Sequence, residues 1–181
     1  MEYLLPVVSE VQSLKFQVLQ KYKVGGLVNK HKLEITAHYK QSISFVKSLN
    51  TLSENEWRTP VGKGKWTVAE IIGHFRPWDE FVIHQRIPYL LSAEELPKGP
   101  DAKETNNRSA SKAREEVQQI TIDKFITTRV ELCNAIEELS DENWERNFTI
   151  GKTTLSLYEY FKGLTEHDHH HFNQIKNTLS I

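Results

Sequence analysis

LSENEWRTPVGKGKWTVAE (residues 52–70) and LSDENWERNFTIGKTTLSLYE (residues 139–159) decide how this chain folds. Each opens Leu-Ser and runs through acidic residues and Asn to a tryptophan, Trp57 or Trp144. Each then passes a Gly-Lys turn and closes on a capping box, Thr67 with Glu70 and Ser156 with Glu159. In such a box the hydroxyl accepts from an early helix amide, and the Glu reaches back to the cap amide. Each stretch therefore announces a helix start at the same relative place, and a helical pattern precedes each. The reading is an internal duplication of a helix–turn–helix unit, hence four main helices.

Outward from these stretches, apolar spacing predicts helices over 31–49, 67–91, 122–139 and 157–179. The first carries Leu33, Ala37, Ile43 and Val46. The second carries Val68, Ile71, Ile72, Phe75, Trp78, Val82 and Ile83, with Pro77 inside, where the lost backbone bond predicts a kink. The third carries Ile122, Phe125, Ile126, Val130, Cys133 and Ile136. Residues 92–111 are polar and hold Pro97, Gly99 and Pro100, which reads as a long crossing loop. No β-hairpin signal is strong enough to add a sheet. The expected architecture is all-α: a four-helix bundle over residues 31–181. Residues 1–30 form an N-terminal extension in which EVQSLKFQVLQ (residues 10–20) can make an extra helix, ended at Gly25-Gly26.

The bulk numbers bound the function. A chain of 181 residues suits one domain with a full core. A net charge of −1, with no basic stripe interleaved with aromatics, argues against nucleic acid or an anionic membrane as partner. No apolar run approaches the ~20 residues that cross a bilayer. The start, MEYLLPVVSEVQ, lacks a basic segment before an apolar core, so a cytoplasmic protein is expected. One cysteine excludes an intramolecular disulfide and a thiolate-rich metal site.

The chemistry gathers near the C-terminus. Four of the eight histidines lie within residues 167–171. His167 and His171 are one turn apart on one helix face and can reach a single ion, as in the HExxH logic but without its glutamate. A third ligand must come from elsewhere, and His74, set among Ile71, Ile72, Phe75 and Trp78, is the best candidate. Neutral imidazoles suit Zn, Ni, Cu or Fe(II), and three protein ligands leave positions open for water or substrate.

Plainer readings stand beside this one. A lone histidine in an apolar stripe is more often a hydrogen-bonded core residue; the cluster at 167–171 is what raises His74 above that. His169 is expected in solvent, and His170 flanks the site or packs on a neighbouring helix. His31, His38 and His84 read as surface or structural. Cys133 fits a buried position better than a nucleophile. Trp57 and Trp144 read as core plugs behind the two turns. Asp168 and Gln174 are candidates to support the ligating imidazoles from behind. Glu70 and Asp79 are candidate bases, although its box makes Glu70 first a cap.

GKWTVAEIIGHF (residues 64–75) followed by HDHHHFNQI (residues 167–175) resembles the DinB/YfiT-like superfamily of metal-dependent enzymes. The shared pattern is a Trp-Ser/Thr helix start, a histidine seven residues on, and a C-terminal His-x-x-His-His with a nearby Gln. In this chain those positions are Thr67, His74, His167, His170, His171 and Gln174. The resemblance covers residues from about 33 to the end. It implies an up-down-down-up bundle with a pseudo-twofold and one divalent ion, Ni or Zn, on His74, His167 and His171. It departs at Arg76 and Pro77, where the family commonly has small or acidic residues.

The resemblance also implies transfer of a low-molecular-weight thiol, such as bacillithiol or mycothiol, to an electrophilic small molecule. The physical case is that a His-bound ion holds the cosubstrate as thiolate, so no protein nucleophile is required. Hydrolysis by activated water with a carboxylate base is the second reading. A bundle that binds metal or ligand without turnover is the third. Helix surfaces rich in Trp and Tyr permit a homodimer, although the sequence locates no interface.

Overall fold

The computed structural model describes residues 29–90, 92 and 95–181. Four long helices make the bundle: α1 (Lys30–Ser48), α3 (Val68–Gln85), α6 (Gln118–Glu138) and α7 (Leu157–Leu179). Shorter helices join them: α2 (Glu54–Trp57), α4 (Ile87–Leu90) and α5 (Ala102–Glu115), with 3-10 turns at Leu49–Thr51 and Asp141–Asn143. Helix α6 packs against both α1 and α3, and α1 also packs against α7. The anticipated N-terminal helix lies outside the described residues.

Both predicted capping boxes form. Thr67 Oγ1 accepts from Glu70 N, and Ser156 Oγ from Glu159 N; each Glu accepts from its cap amide in return. Helix α2 carries a third box, Ser53 with Glu56. The two repeat units match in their backbone bonds. Val68 N donates to Thr59 O, and Leu157 N donates to Arg146 O. Each bond joins the first helical residue to the residue two beyond the unit's tryptophan. Trp57 and Trp144 are both fully buried, as core plugs should be, and neither indole N–H finds an acceptor among the described residues. The Gly turns match as well, Gly64 at φ 69° and Gly151 at φ 60°, a region that costs glycine little.

The second unit holds a hairpin that the sequence reading left out. Strands β1 (Asn147–Ile150) and β2 (Thr153–Ser156) pair antiparallel with Ile150 opposite Thr153. The loop is Gly151-Lys152, and a glycine with positive φ at its first position is what the tightest hairpin turns use. Strand β1 does alternate, with Phe148 and Ile150 half-buried between exposed Asn147 and Thr149, but four residues are too few to stand out, and β2 carries no such alternation. In the first unit the same place shows a single bridge, Pro60 with Thr67. Proline cannot donate to a ladder, which keeps that hairpin from extending.

Four further corrections concern helices. The stretch read as a loop from 92 to 111 contains most of α5, which Asp101 caps by accepting from Glu104 N. Its buried residues are small, Thr105, Ser109, Ala110 and Ala113, so apolar periodicity could not reveal it. On α1 the inward stripe is Ile35, Tyr39, Ser42 and Val46, while Leu33 is 49% exposed. On α6 Arg129 turns inward in place of Val130. Helix α3 runs unbroken through Pro77 but ends at Gln85, earlier than predicted.

Gly73 sets the approach of α5 to α3. A Cβ there would lie 2.6 Å from the Ala113 Cβ, which is fixed to its helix and cannot rotate away. Gly73→Ala should therefore lower stability by about 1–3 kcal/mol, outweighing the better helix propensity of alanine. The midpoint of urea unfolding measures it; an unchanged or higher midpoint would show that the helices part freely.

Candidate metal centre

Helix α3 presents His74 and helix α7 presents His167 and His171 to a common point. One nitrogen of each ring lies within 4.8 Å of the other two. Ring centroids are 5.3 Å apart for His74 and His167, and 4.6 Å for His74 and His171. The helix-α7 pair is also 4.6 Å apart, as the one-turn spacing requires. A tetrahedral ion with nitrogen bonds of ~2.0–2.1 Å spaces its ligand atoms by about 3.4 Å, which small ring rotations reach from here.

Two of the rings are oriented from behind. His74 is 1% exposed, and its Nδ1–H donates to the Ile71 carbonyl one turn earlier. That bond fixes the tautomer and leaves Nε2 with its lone pair. Nε2 is buried and has no hydrogen-bond partner among the described residues. A buried polar atom without a partner is costly, and an ion at the meeting point would satisfy it. His171 Nδ1–H donates to Gln174 Oε1 at 2.9 Å, which likewise turns Nε2 toward the site. His167 is the most exposed of the three, and His171 is half-buried.

The electrostatics favour neutral, ligating imidazoles. Burial, then the neighbouring His171, hold His74 down to about 3. Burial and His167 hold His171 down to about 4. Burial also lowers His167, against the pull of Asp168. All three rings are therefore unprotonated at neutral pH, the state that binds metal.

Of the residues expected to support the ligands, only Gln174 does so directly. Asp168 bonds no ligating ring. It accepts from His38 Nε2 at 3.0 Å and from Arg129 Nη1. Glu70 has both oxygens engaged, one on the Thr67 amide and one on Arg114 Nε at 2.8 Å, so it is a cap and not a base. His170 is exposed, its ring 5.2 Å from that of His171. His169 is exposed too, although its ring rests 4.5 Å from that of His38. Cys133 is buried, and burial pushes its thiol up.

The residue that sequence reasoning missed is Arg129. It is fully buried, donates Nε to Asp79 Oδ2 at 2.8 Å, and shares its other arm with Asp168. The rings of Tyr39 and Phe125 lie 4.9 and 4.8 Å from its guanidinium carbon. Burial raises Asp79 to about 7 against that pairing. Asp168 falls below the usual carboxylate range because Arg129 and His38 outweigh its burial. The signal lay in phase: Ile122, Phe125, Arg129, Leu132 and Ile136 step by three and four residues, with one charge among the apolar positions.

A cavity of ≈ 450 Å³ opens beside the centre, with His167 in its wall. Phe75, Trp78, Val82 and Leu164 make it largely apolar, and Asp79 and Asp168 add a polar side.

The sequence model of the DinB superfamily matches residues 40–175. The chain belongs to the DinB superfamily. Two solved structures show the same fold. One is described as YfiT from Bacillus subtilis, a probable metal-dependent hydrolase with an unusual four-helix bundle topology. It is 17% identical, with 81% of this chain and 85% of that one covered and a TM-score of 0.65. The other, a mycothiol-dependent maleylpyruvate isomerase, is 16% identical with a TM-score of 0.61, over 80% of this chain and 60% of that one. No curated protein matches this DinB chain in sequence. No described helix is long and apolar enough to cross a membrane.

In this DinB protein Gln174 is the residue whose removal should loosen the centre without removing a ligand. Gln174→Leu frees the His171 ring to turn, and metal affinity should fall about 10–100-fold. Competition against a chromogenic chelator reads that change; unaltered affinity would show that packing alone orients the ring.

Proposed function

We propose that this chain is a metal-dependent enzyme that transfers a low-molecular-weight thiol to an electrophilic small molecule, using one Ni or Zn ion held by His74, His167 and His171. The observation that carries the reading is the buried Nε2 of His74, without a partner among the described residues, facing two further neutral imidazoles. When bound, such an ion supplies the Lewis acidity that keeps a cosubstrate thiol deprotonated at neutral pH.

The chain's own residues fit that division of labour. Cys133 is buried with a raised thiol, so the protein offers no thiolate of its own. The apolar cavity beside His167 can shelter a small electrophile from water. Asp79 lies on the cavity wall, with one oxygen on Arg129 and a carboxyl whose proton affinity burial raises. That same carboxyl favours a second reading, hydrolysis, in which Asp79 accepts a proton from the attacking water.

A thiol panel separates the readings. Metal-loaded protein is incubated with small thiols and a chromogenic electrophile. Thiol-dependent turnover that disappears in His171→Ala supports the transferase. Ester or amide cleavage without thiol supports the hydrolase. Tight metal binding with neither activity overturns both and leaves a binding module.

A further inference from the structure

The geometry points to a second site, unconnected with the metal centre: a cationic pocket between α3, α5 and α6 that we propose binds the phosphoryl group of a small phosphate monoester. On α3, Gly73, Arg76 and Glu80 line this pocket, whereas His74, Phe75 and Trp78 face the centre and its cavity. At ~100° per residue these two sets occupy opposite sides of the helix. The pocket's volume is ≈ 180 Å³, room for roughly six water molecules at ~30 Å³ each, and so for one tetrahedral oxyanion with a short organic stub.

Its charge is unusual for a chain of net charge −1. Four cations line it, Arg76, Arg108, Lys112 and Lys124, against two acids, Glu80 and Glu116. The two acids are already taken, Glu80 by Arg76 at 2.8 Å and Glu116 by Lys124. Arg108 and Lys112 remain, with no ion pair or hydrogen bond among the described residues. They lie four residues apart on α5, so two like charges face each other across one turn. Such a pair costs its helix a few tenths of a kcal/mol, and a shared anion removes that cost.

The floor gives a second, independent pointer. Thr105 is 4% exposed, lines the pocket, and its hydroxyl makes no hydrogen bond among the described residues. It sits one turn before Arg108, where it can donate to an oxygen held by that guanidinium. The excess of two positive charges matches a phosphate monoester, which carries −1.5 to −2 at pH 7, better than a monocarboxylate. A guanidinium fork with an ammonium and a hydroxyl suits a group with three terminal oxygens.

The test is an amide-shift titration of the whole chain with inorganic phosphate and with glycerol phosphate, at constant ionic strength set by sodium chloride. Saturable shifts at Gly73, Thr105 and Ser109, with Kd below about 1 mM, are expected. A tighter Kd for the ester would show that its organic part is also read. The double variant Arg108→Gln/Lys112→Gln should raise Kd at least about tenfold while its own thermal midpoint, without phosphate, holds or rises. Phosphate should raise the midpoint of the wild-type chain and leave that of the variant unmoved. Shifts that track ionic strength alone, that persist in the variant, or that appear at His74 and His171 instead would overturn the proposal.

Discussion

Replacing His74 with alanine should strip this protein of metal. His167 and His171 remain on α7, but two imidazoles one turn apart make a poor site without the third. Losing a supporting residue alone typically costs 10–100-fold in affinity, so losing a ligand should cost at least about 100-fold. The measurement is a chelator competition with Zn and with Ni, alongside circular dichroism to show that the helices persist. Wild-type affinity in the folded variant would disprove the three-histidine centre. Acid gives an independent reading of the same site. Protons compete for the ligands only as the rings titrate, and His74 and His171 sit at about 3 and about 4. Wild-type affinity should fall less steeply from about pH 8 to about pH 5 than it would for three ordinary imidazoles near 6.5, because two of the three rings stay unprotonated across that range.

The same shifts set the pH dependence of the metal-free fold. The unfolded chain protonates these histidines near 6.5, and the folded chain does so only near 3 to 4. Between those values the unfolded state binds more protons, so stability falls as pH falls. The contribution is complete above about pH 6.5 and drains away through acid.

Arg129→Met should be the most destabilising single change away from the metal. Arg129 is fully buried and is the cation between Asp79 and Asp168. Without it two buried carboxylates face each other, and among the described residues His38 alone remains bonded to the Asp168 side chain. Removing one partner of a buried ion pair typically costs about 3–5 kcal/mol. For a chain of this size that is a fall in Tm of about 10 °C or more. Methionine keeps most of the volume, so a cavity is not the cause of the loss. Its pH dependence identifies the mechanism. Without Arg129 the native carboxylates hold their protons more tightly, so the native variant binds protons that the unfolded chain releases. The deficit should therefore be larger at about pH 8 than at about pH 5. A loss under about 1 kcal/mol, or one independent of pH, would show that the triad is not what holds these helices.

Much of the bundle was legible because its instructions are local. Thr67–Glu70 and Ser156–Glu159 declare helix starts through bonds three residues apart, and both boxes form as read. The doubled unit was legible for the same reason, since each copy repeats its tryptophan, turn and cap in order. The one-turn spacing of His167 and His171 obliges them to share a face, whatever surrounds them. What failed was any element whose evidence is not apolar. Helix α5 buries Ala and hydroxyl residues and so carries no hydrophobic period, and the hairpin's one alternation, Phe148 and Ile150, is confined to a four-residue strand.

The sequence by itself therefore determined four helices, the starts of the two that follow the repeated units, and the pairing of two histidines on the last. Helix α6 instead begins at Gln118, four residues before its predicted start and without a side-chain cap. Only the tertiary structure decided that His74 joins them, because α3 and α7 approach through packing between residues nearly a hundred positions apart. It also decided that Asp168 serves Arg129 and His38 rather than a ligating ring. Helical periodicity says which side of a helix a residue occupies. Which partner waits on that side is set by how the helices stack, and no local rule contains it.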